Sequence, residues 1–309
     1  MKTILLTLFL FIIFVSFVNA DSIFISNPQD ILEIREPIGT VRETITEVEL
    51  HNVLKGGVIT TSSGSTEFNQ YLRFLEINPS IPGTYTIRSP KVVFTRNDAP
   101  VQEVGDWLFV QEGNNPMHAF FEYEQEFEDG FETQIDGNDL IDFINEKLAI
   151  LGRKYAIIKA KKQGTIVSLD LVNQYISRVF NEGQTQQIIL NNNLYSIQLV
   201  AIQNTPSATL IINNEITPPL ENGQIYTMKD GTFVTVTNVA YSTTGNGAAR
   251  VYIAKNRLEL VDNNYLDGET SPNLGFTQNV QINNNFIEDA WVQIRGNDIP
   301  NNEFEVFKI

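Results

Sequence analysis

The sequence predicts an all-β fold, mainly antiparallel, arranged as β-sandwich-like domains with one short helix between them. Three observations lead there: short runs of β-branched and aromatic residues, regular punctuation of those runs by Gly, Pro, Asn and Asp, and a helix-like pattern in one place only. In chain order the runs are Val92–Phe94, Trp107–Val110, Tyr155–Ile158 and Thr165–Leu169, then Ser196–Ile202, Ala208–Ile212 and Phe233–Val239. The helix is expected within Asn138–Glu146, where Asn138 or Asp139 could cap a short turn.

Two stretches read as versions of one unit. Leu148–Ile157 carries a turn into a strand, followed by Gly164 and a second strand ending at Leu169. Ile188–Ile197 repeats that order, with Tyr195 forty residues after Tyr155 and Leu210 forty-one after Leu169. Asp230-Gly231, between Ile225–Met228 and the strand from Phe233, is the pairing that tolerates positive φ in a type I′ hairpin turn. Asn213-Asn214, Pro218-Pro219 and Glu221-Asn222-Gly223 mark further reversals, and the pattern weakens after Asn263. The division expected is a signal segment over 1–20, an N-terminal β domain over 21–147 and a C-terminal β domain over 148–309.

The signal is read from Met1-Lys2-Thr3, an apolar run from Ile4 to Val18, and small residues before Asp21. That run is shorter than the roughly 20 apolar residues that span a bilayer, so cleavage after Ala20 and a secreted, cell-surface location are expected. No later segment reaches spanning length, so no membrane-spanning segment is expected after cleavage. Cysteine is absent, which removes disulfides and thiolate metal sites. A net charge of -16, from 37 acidic and 21 basic residues, argues against nucleic acid, whose phosphates need Lys and Arg. A hydrophobic share of 42% is that of a globular chain.

The stretch from Gly57 to Ala160 resembles archaeal S-layer proteins of the methanococcal type. The likeness rests on Gly57–Thr61 with Gln70–Phe74, on Val92–Phe94 before Glu103–Leu108, and on Phe121–Phe127 and Ile150–Ala160, in that order. Tyr195–Val200 through Lys229–Val236 is similar to the β-rich carboxyl-terminal part of such proteins. The resemblance implies secretion, sandwich-like domains, assembly with itself or with other envelope proteins into a surface lattice, and no enzymatic residues. Family members are usually longer, and many are glycosylated on asparagine. Here the one Asn-x-Ser/Thr triplet, Asn78-Pro79-Ser80, is blocked by its proline. A minor envelope component outside the lattice is the variant of this reading that the shorter chain leaves open.

Catalytic patterns are missing. His51 and His118 are the only histidines and share no metal-ligand spacing. Ser62–Thr66 is a turn and no nucleophile elbow, and Gly245-Asn246-Gly247 has no helix behind it to form a phosphate loop. The chain is therefore expected not to be an enzyme. Its most pronounced chemical feature is acidic: Glu122, Glu124, Glu126 and Glu128 alternate with Phe121, Tyr123, Gln125 and Phe127, which places carboxylates on one face of a strand and mainly aromatics on the other. With Asp129 and Asp136 these carboxylates are the candidate ligands of a hard cation, Ca²⁺, which takes six to eight oxygens in flexible geometry. The competing expectation is a solvated acidic face. Trp107 and Trp291 have acidic neighbours but are expected in the core, and no sugar site is assigned to them. The alternative to the envelope reading is a cell-surface binding module, an adhesin or a carbohydrate-binding protein, on the same architecture.

Overall fold

The computed structural model describes residues 37–62, 64–77, 85–87, 91–95, 107–111, 120–243, 247–263, 265–267, 277, 279–288, 290–297 and 303–308. For residues 38, 75–77, 85–87, 91–95, 107–111, 266–267, 297 and 303–308 the description is of the backbone alone. The signal segment 1–20, His118 and the Trp107 side chain lie outside the described residues.

The fold is all-β and mostly antiparallel, as the punctuated runs predicted. A seven-stranded sheet carries as successive neighbours β1 (Ser65–Arg73), β2 (Glu122–Glu132), and two strands from the end of the chain, Gln293–Asn297 and Glu303–Lys308, of which the latter lies against β2. The hairpin β3 (Lys147–Ile150) and β4 (Arg153–Gln163) leads into β5 (Ile166–Asn181) of a ten-stranded sheet. A five-stranded sheet follows, with β6 (Thr185–Leu190), β7 (Asn193–Gln203) and β8 (Ser207–Ile212). The chain then returns to the ten-stranded sheet through β9 (Phe233–Ala240) and β10 (Ala248–Asp262). Among the described residues no helix is long and apolar enough to cross a membrane.

The molecule is organised around the pair β5 and β10, which stay in register from Val167 opposite Asp262 to Asn181 opposite Ala248. Side chains alternate between the faces of a strand. Leu171 and Leu258, a cross-strand pair, belong to a core shared with Phe68, Tyr123, Phe127 and Ile294 of the seven-stranded sheet. Ile253 and its partner Ile176, five positions further along, belong to a core shared with Ile197, Leu199 and Leu210 of the five-stranded sheet. Between the two pairs Gln174 takes positive φ and the register skips it, and Val172 and Tyr175 on either side of it pack in one further cluster with Phe233, Tyr252 and Ala254, so the two cores occupy successive stretches of one long ladder. The cores do not divide at 147/148. The first draws on residues from Leu54 to Ile294, and the strand Glu303–Lys308 pairs with β2.

The unit expected to recur at a forty-residue offset is a three-stranded meander in both places. Ile150 pairs with Arg153 around Leu151-Gly152, and Leu190 pairs with Asn193 around Asn191-Asn192. Both loops take positive φ at both residues, the geometry of type I′ turns, whose twist matches the strands they join. Gly152 is required for a second reason: a Cβ there would lie 2.6 Å from the Asn52 carbonyl oxygen. Each meander also has one irregularity in its middle strand, between Ile157 and Lys159 in β4 and between Leu199 and Ala201 in β7.

Two local expectations are corrected. At Asp230-Gly231 only the glycine has positive φ. The Gly231 amide donates to Met228 O and the Met228 amide to Thr232 O, which is a three-residue loop ending on a left-handed glycine instead of a type I′ turn. The expected helix shrinks to a single 3-10 turn, Ile141–Phe143, with no side-chain cap. Asp139 instead pairs across a hairpin with Asp136. A longer helix is incompatible with two demands on this segment. Leu140 and Phe143 are fully buried, the latter stacked on Phe131 at 4.0 Å between ring centroids. Asn145 turns left-handed at φ 74°, and its side chain accepts from Thr237 and Tyr252 and donates to Asn238. That amide fastens the connector to the ten-stranded sheet.

Candidate functional site

The acidic strand is β2, an interior strand between β1 and Glu303–Lys308. The predicted alternation holds: Tyr123, Phe127 and Phe131 point into the first core, and the glutamates lie on the other face. Glu122 and Glu124 are nevertheless buried, at 8% and 6% exposure. The cause is the neighbouring strand. Arg73, Tyr71 and Asn69 of β1 stand on the same face and reach diagonally past the residues opposite them. The Arg73 Nε donates to Glu124 Oε1 at 2.9 Å, and Asn69 Nδ2 donates to Glu128 Oε1 at 2.8 Å. Between them the Tyr71 hydroxyl is pushed above its usual pKa, first by burial and then by the negative charge of Glu126, to which it is hydrogen-bonded. The Arg73 guanidinium also lies 4.6 Å from the Tyr71 ring centroid. The acidic face is thus a ladder of partnered carboxylates.

The six carboxylates expected as Ca²⁺ ligands are not gathered into one site. Glu122, Glu124, Glu126 and Glu128 are spread along a strand, where same-face neighbours lie about 7 Å apart, and the last three meet donors on β1. Asp129 is exposed within the strand, its backbone amide donating to Thr66 Oγ1. Asp136 belongs to the ten-stranded sheet, opposite Asp139, whose carboxylate lies 3.3 Å from Lys161 Nζ. Among the described residues no group of three or more His, Asp or Glu side chains could hold a metal ion.

Two further polar clusters serve the fold. On the face of the ten-stranded sheet that carries Val172, buried Asp170 accepts from Arg257, which also reaches Glu259 at 2.9 Å and Asn284 at 2.6 Å. Burial, and then the charge of Asp170, raise the Glu259 carboxyl above the usual range. Under the Asp230-Gly231 loop, the Tyr195 hydroxyl donates to Asp230 Oδ2 at 2.8 Å, and Lys255 Nζ donates to Tyr195 and Thr232. Burial opposes the charge of Asp230, but the Thr232 and Tyr195 hydrogen bonds and Lys255 outweigh it and hold the carboxyl below its usual pKa. Neither cluster presents a nucleophile and base to a cavity. Trp291, expected in the core, is half-buried.

The surface that differs most from the rest is the outer face of the five-stranded sheet. From Gly183 to Asn214, thirty-two consecutive residues include no Asp, Glu, Lys, Arg or His, in a chain of net charge -16. These residues supply all of β6, β7 and β8. Alternation sends Ile188, Tyr195, Ile197, Leu199 and Leu210 into the second core. It leaves Ile189 opposite Leu194 and Ile211 opposite Ile216 on the outside, with Gln187, Ser196 and Gln198 among them. Ile189, Leu194 and Ile216 are 65%, 55% and 64% exposed. A shallow, open depression on this face is lined by Thr185, Leu194, Ser196, Gln198, Ile211, Asn213 and Asn214. Motif reading missed this surface because it looked for charged and catalytic residues; the signal that could have found it is the long absence of charge.

No protein-family model, curated protein or solved structure matches the chain.

Proposed function

We propose that the chain is an exported structural component of a cell envelope, an S-layer or S-layer-related protein, which acts through contacts with other proteins and not by catalysis. The observation that carries this reading is the continuous β5 and β10 ladder. It joins both cores through backbone hydrogen bonds where a flexible linker would otherwise stand, which is what a subunit transmitting force across a layer requires. The order of motifs from Gly57 to Ala160 that resembles methanococcal-type lattice proteins supports the same reading.

A second reading, a carbohydrate-binding surface module, is favoured by one feature: the uncharged depression with Ser196, Gln198, Asn213 and Asn214 offers amide and hydroxyl groups to a neutral sugar. It offers no aromatic platform, because Tyr195 is turned into the core. Quantitative fractionation separates the readings. A structural component is abundant in washed envelopes and stays there in the presence of competing oligosaccharides. Recovery of the chain in the cytoplasmic fraction would overturn both readings, and release by a specific neutral oligosaccharide would overturn the first.

A further inference from the structure

We infer that the outer face of the five-stranded sheet is a self-association surface, on which a second copy of this chain packs sheet on sheet. The inference rests on the structural-component reading, for which it names the partner and the surface. The argument is electrostatic. Two copies of a chain with net charge -16 repel one another wherever their acidic surfaces meet, and that repulsion reaches about 8 Å at physiological ionic strength. The Gly183–Asn214 tract removes charge from the outer face of β6, β7 and β8, with Glu221 left at the edge opposite Ser207, so two copies can approach across those three strands without setting like charges against each other. Ordinary solubility requirements would favour the opposite, a polar and charged exterior around Ile189, Leu194 and Ile216.

The chemistry of the face suits a second copy of itself. Packed sheets stand about 10 Å apart with their side chains interdigitated. The Ile189/Leu194 and Ile211/Ile216 pairs supply two apolar ridges, and Gln187, Ser196 and Gln198 between them can donate and accept across the interface. A face of this kind is self-complementary under a two-fold axis, the commonest symmetry of association. Its dimensions, three strands about 4.8 Å apart of six, eleven and six residues with two two-residue strands along one edge, make it a small interface. The pairwise contact is accordingly weak, with Kd of the order of micromolar, and it becomes strong when many copies are linked in a layer.

Sedimentation velocity on the mature full chain tests this. The wild type is expected to associate reversibly at about 100 μM and to associate more strongly as NaCl is raised, since salt screens the net repulsion while leaving apolar packing intact. Leu194→Glu is expected to weaken association at least tenfold with an unchanged thermal midpoint, because the position is exposed. Leu194→Lys alone should also weaken it, whereas an equimolar mixture of the Glu and Lys variants should recover it. Val58→Glu, an exposed position on a different sheet, should change nothing. A monomeric wild type at that concentration, or a Leu194→Glu variant that associates as the wild type does, would overturn the inference. So would a monomeric wild type that saturably binds a neutral oligosaccharide through this face, which would make a glycan the occupant. The functional reading fails separately: a chain that dimerises through Leu194 but is absent from envelopes overturns that reading alone.

Discussion

Arg73 sets the character of the acidic face. Its guanidinium neutralises a buried carboxylate, Glu124, and burial of an unpaired charge costs far more than the pair contributes. Arg73→Gln is therefore expected to destabilise the fold by about 3 kcal/mol, read as a fall in the urea midpoint at constant slope. Arg73→Leu combined with Glu124→Leu should recover most of that loss; a double variant as unstable as the single would show that shape, not charge, governs the site. Asp230 supplies a pH signature. Its carboxyl is held below the ordinary value of 3.8, so its contribution is complete above that pH and fades as pH falls through the lower folded-state value. Asp230→Asn should lower stability at pH 7 by under about 1 kcal/mol, since the carboxylate is half exposed, and the difference from wild type should shrink as pH falls below 3.8. A difference independent of pH would contradict the assignment.

Strands were legible where sequence carries its own punctuation. The alternation in Glu122–Glu128 fixed which side chains share a face, and the forty-residue echo between Tyr155 and Tyr195 marked two meanders with matching turns. What β2 lies beside was not legible, because Arg73 is fifty-one positions from Glu124 and cross-strand partners leave no local pattern. Repelling carboxylates in need of a cation were therefore expected where the fold instead supplies Arg73, Tyr71 and Asn69. The helix is shorter than its pattern for a related reason: Asn138–Glu146 has capping residues, but burial of Leu140 and Phe143 on either side of a tight turn overrides local preference. This account of β2 makes a prediction about metal. The thermal midpoint should respond equally to CaCl₂ and NaCl at matched ionic strength. A rise specific to Ca²⁺ and abolished by Glu124→Gln with Glu126→Gln would restore the cation site.

Across the whole molecule, two cores occupy successive stretches of one ladder, and the strands Gln293–Asn297 and Glu303–Lys308 complete the sheet that β1 and β2 open. A cut between residues 147 and 148 has no counterpart in that arrangement, since closure of the first sandwich depends on pairing between β2 and Glu303–Lys308, beyond the reach of local pattern. The same arrangement leaves β6, β7 and β8 without charge on the outer face at the far side of the second core, the surface proposed above for contact between copies. The most direct test of the account is electron cryotomography of isolated envelopes, with subtomogram averages fitted by this fold. The account predicts a repeating layer in which neighbouring subunits meet through the Leu194 face. Envelopes in which the chain is absent, or in which that face is turned to open solvent throughout the layer, would contradict it.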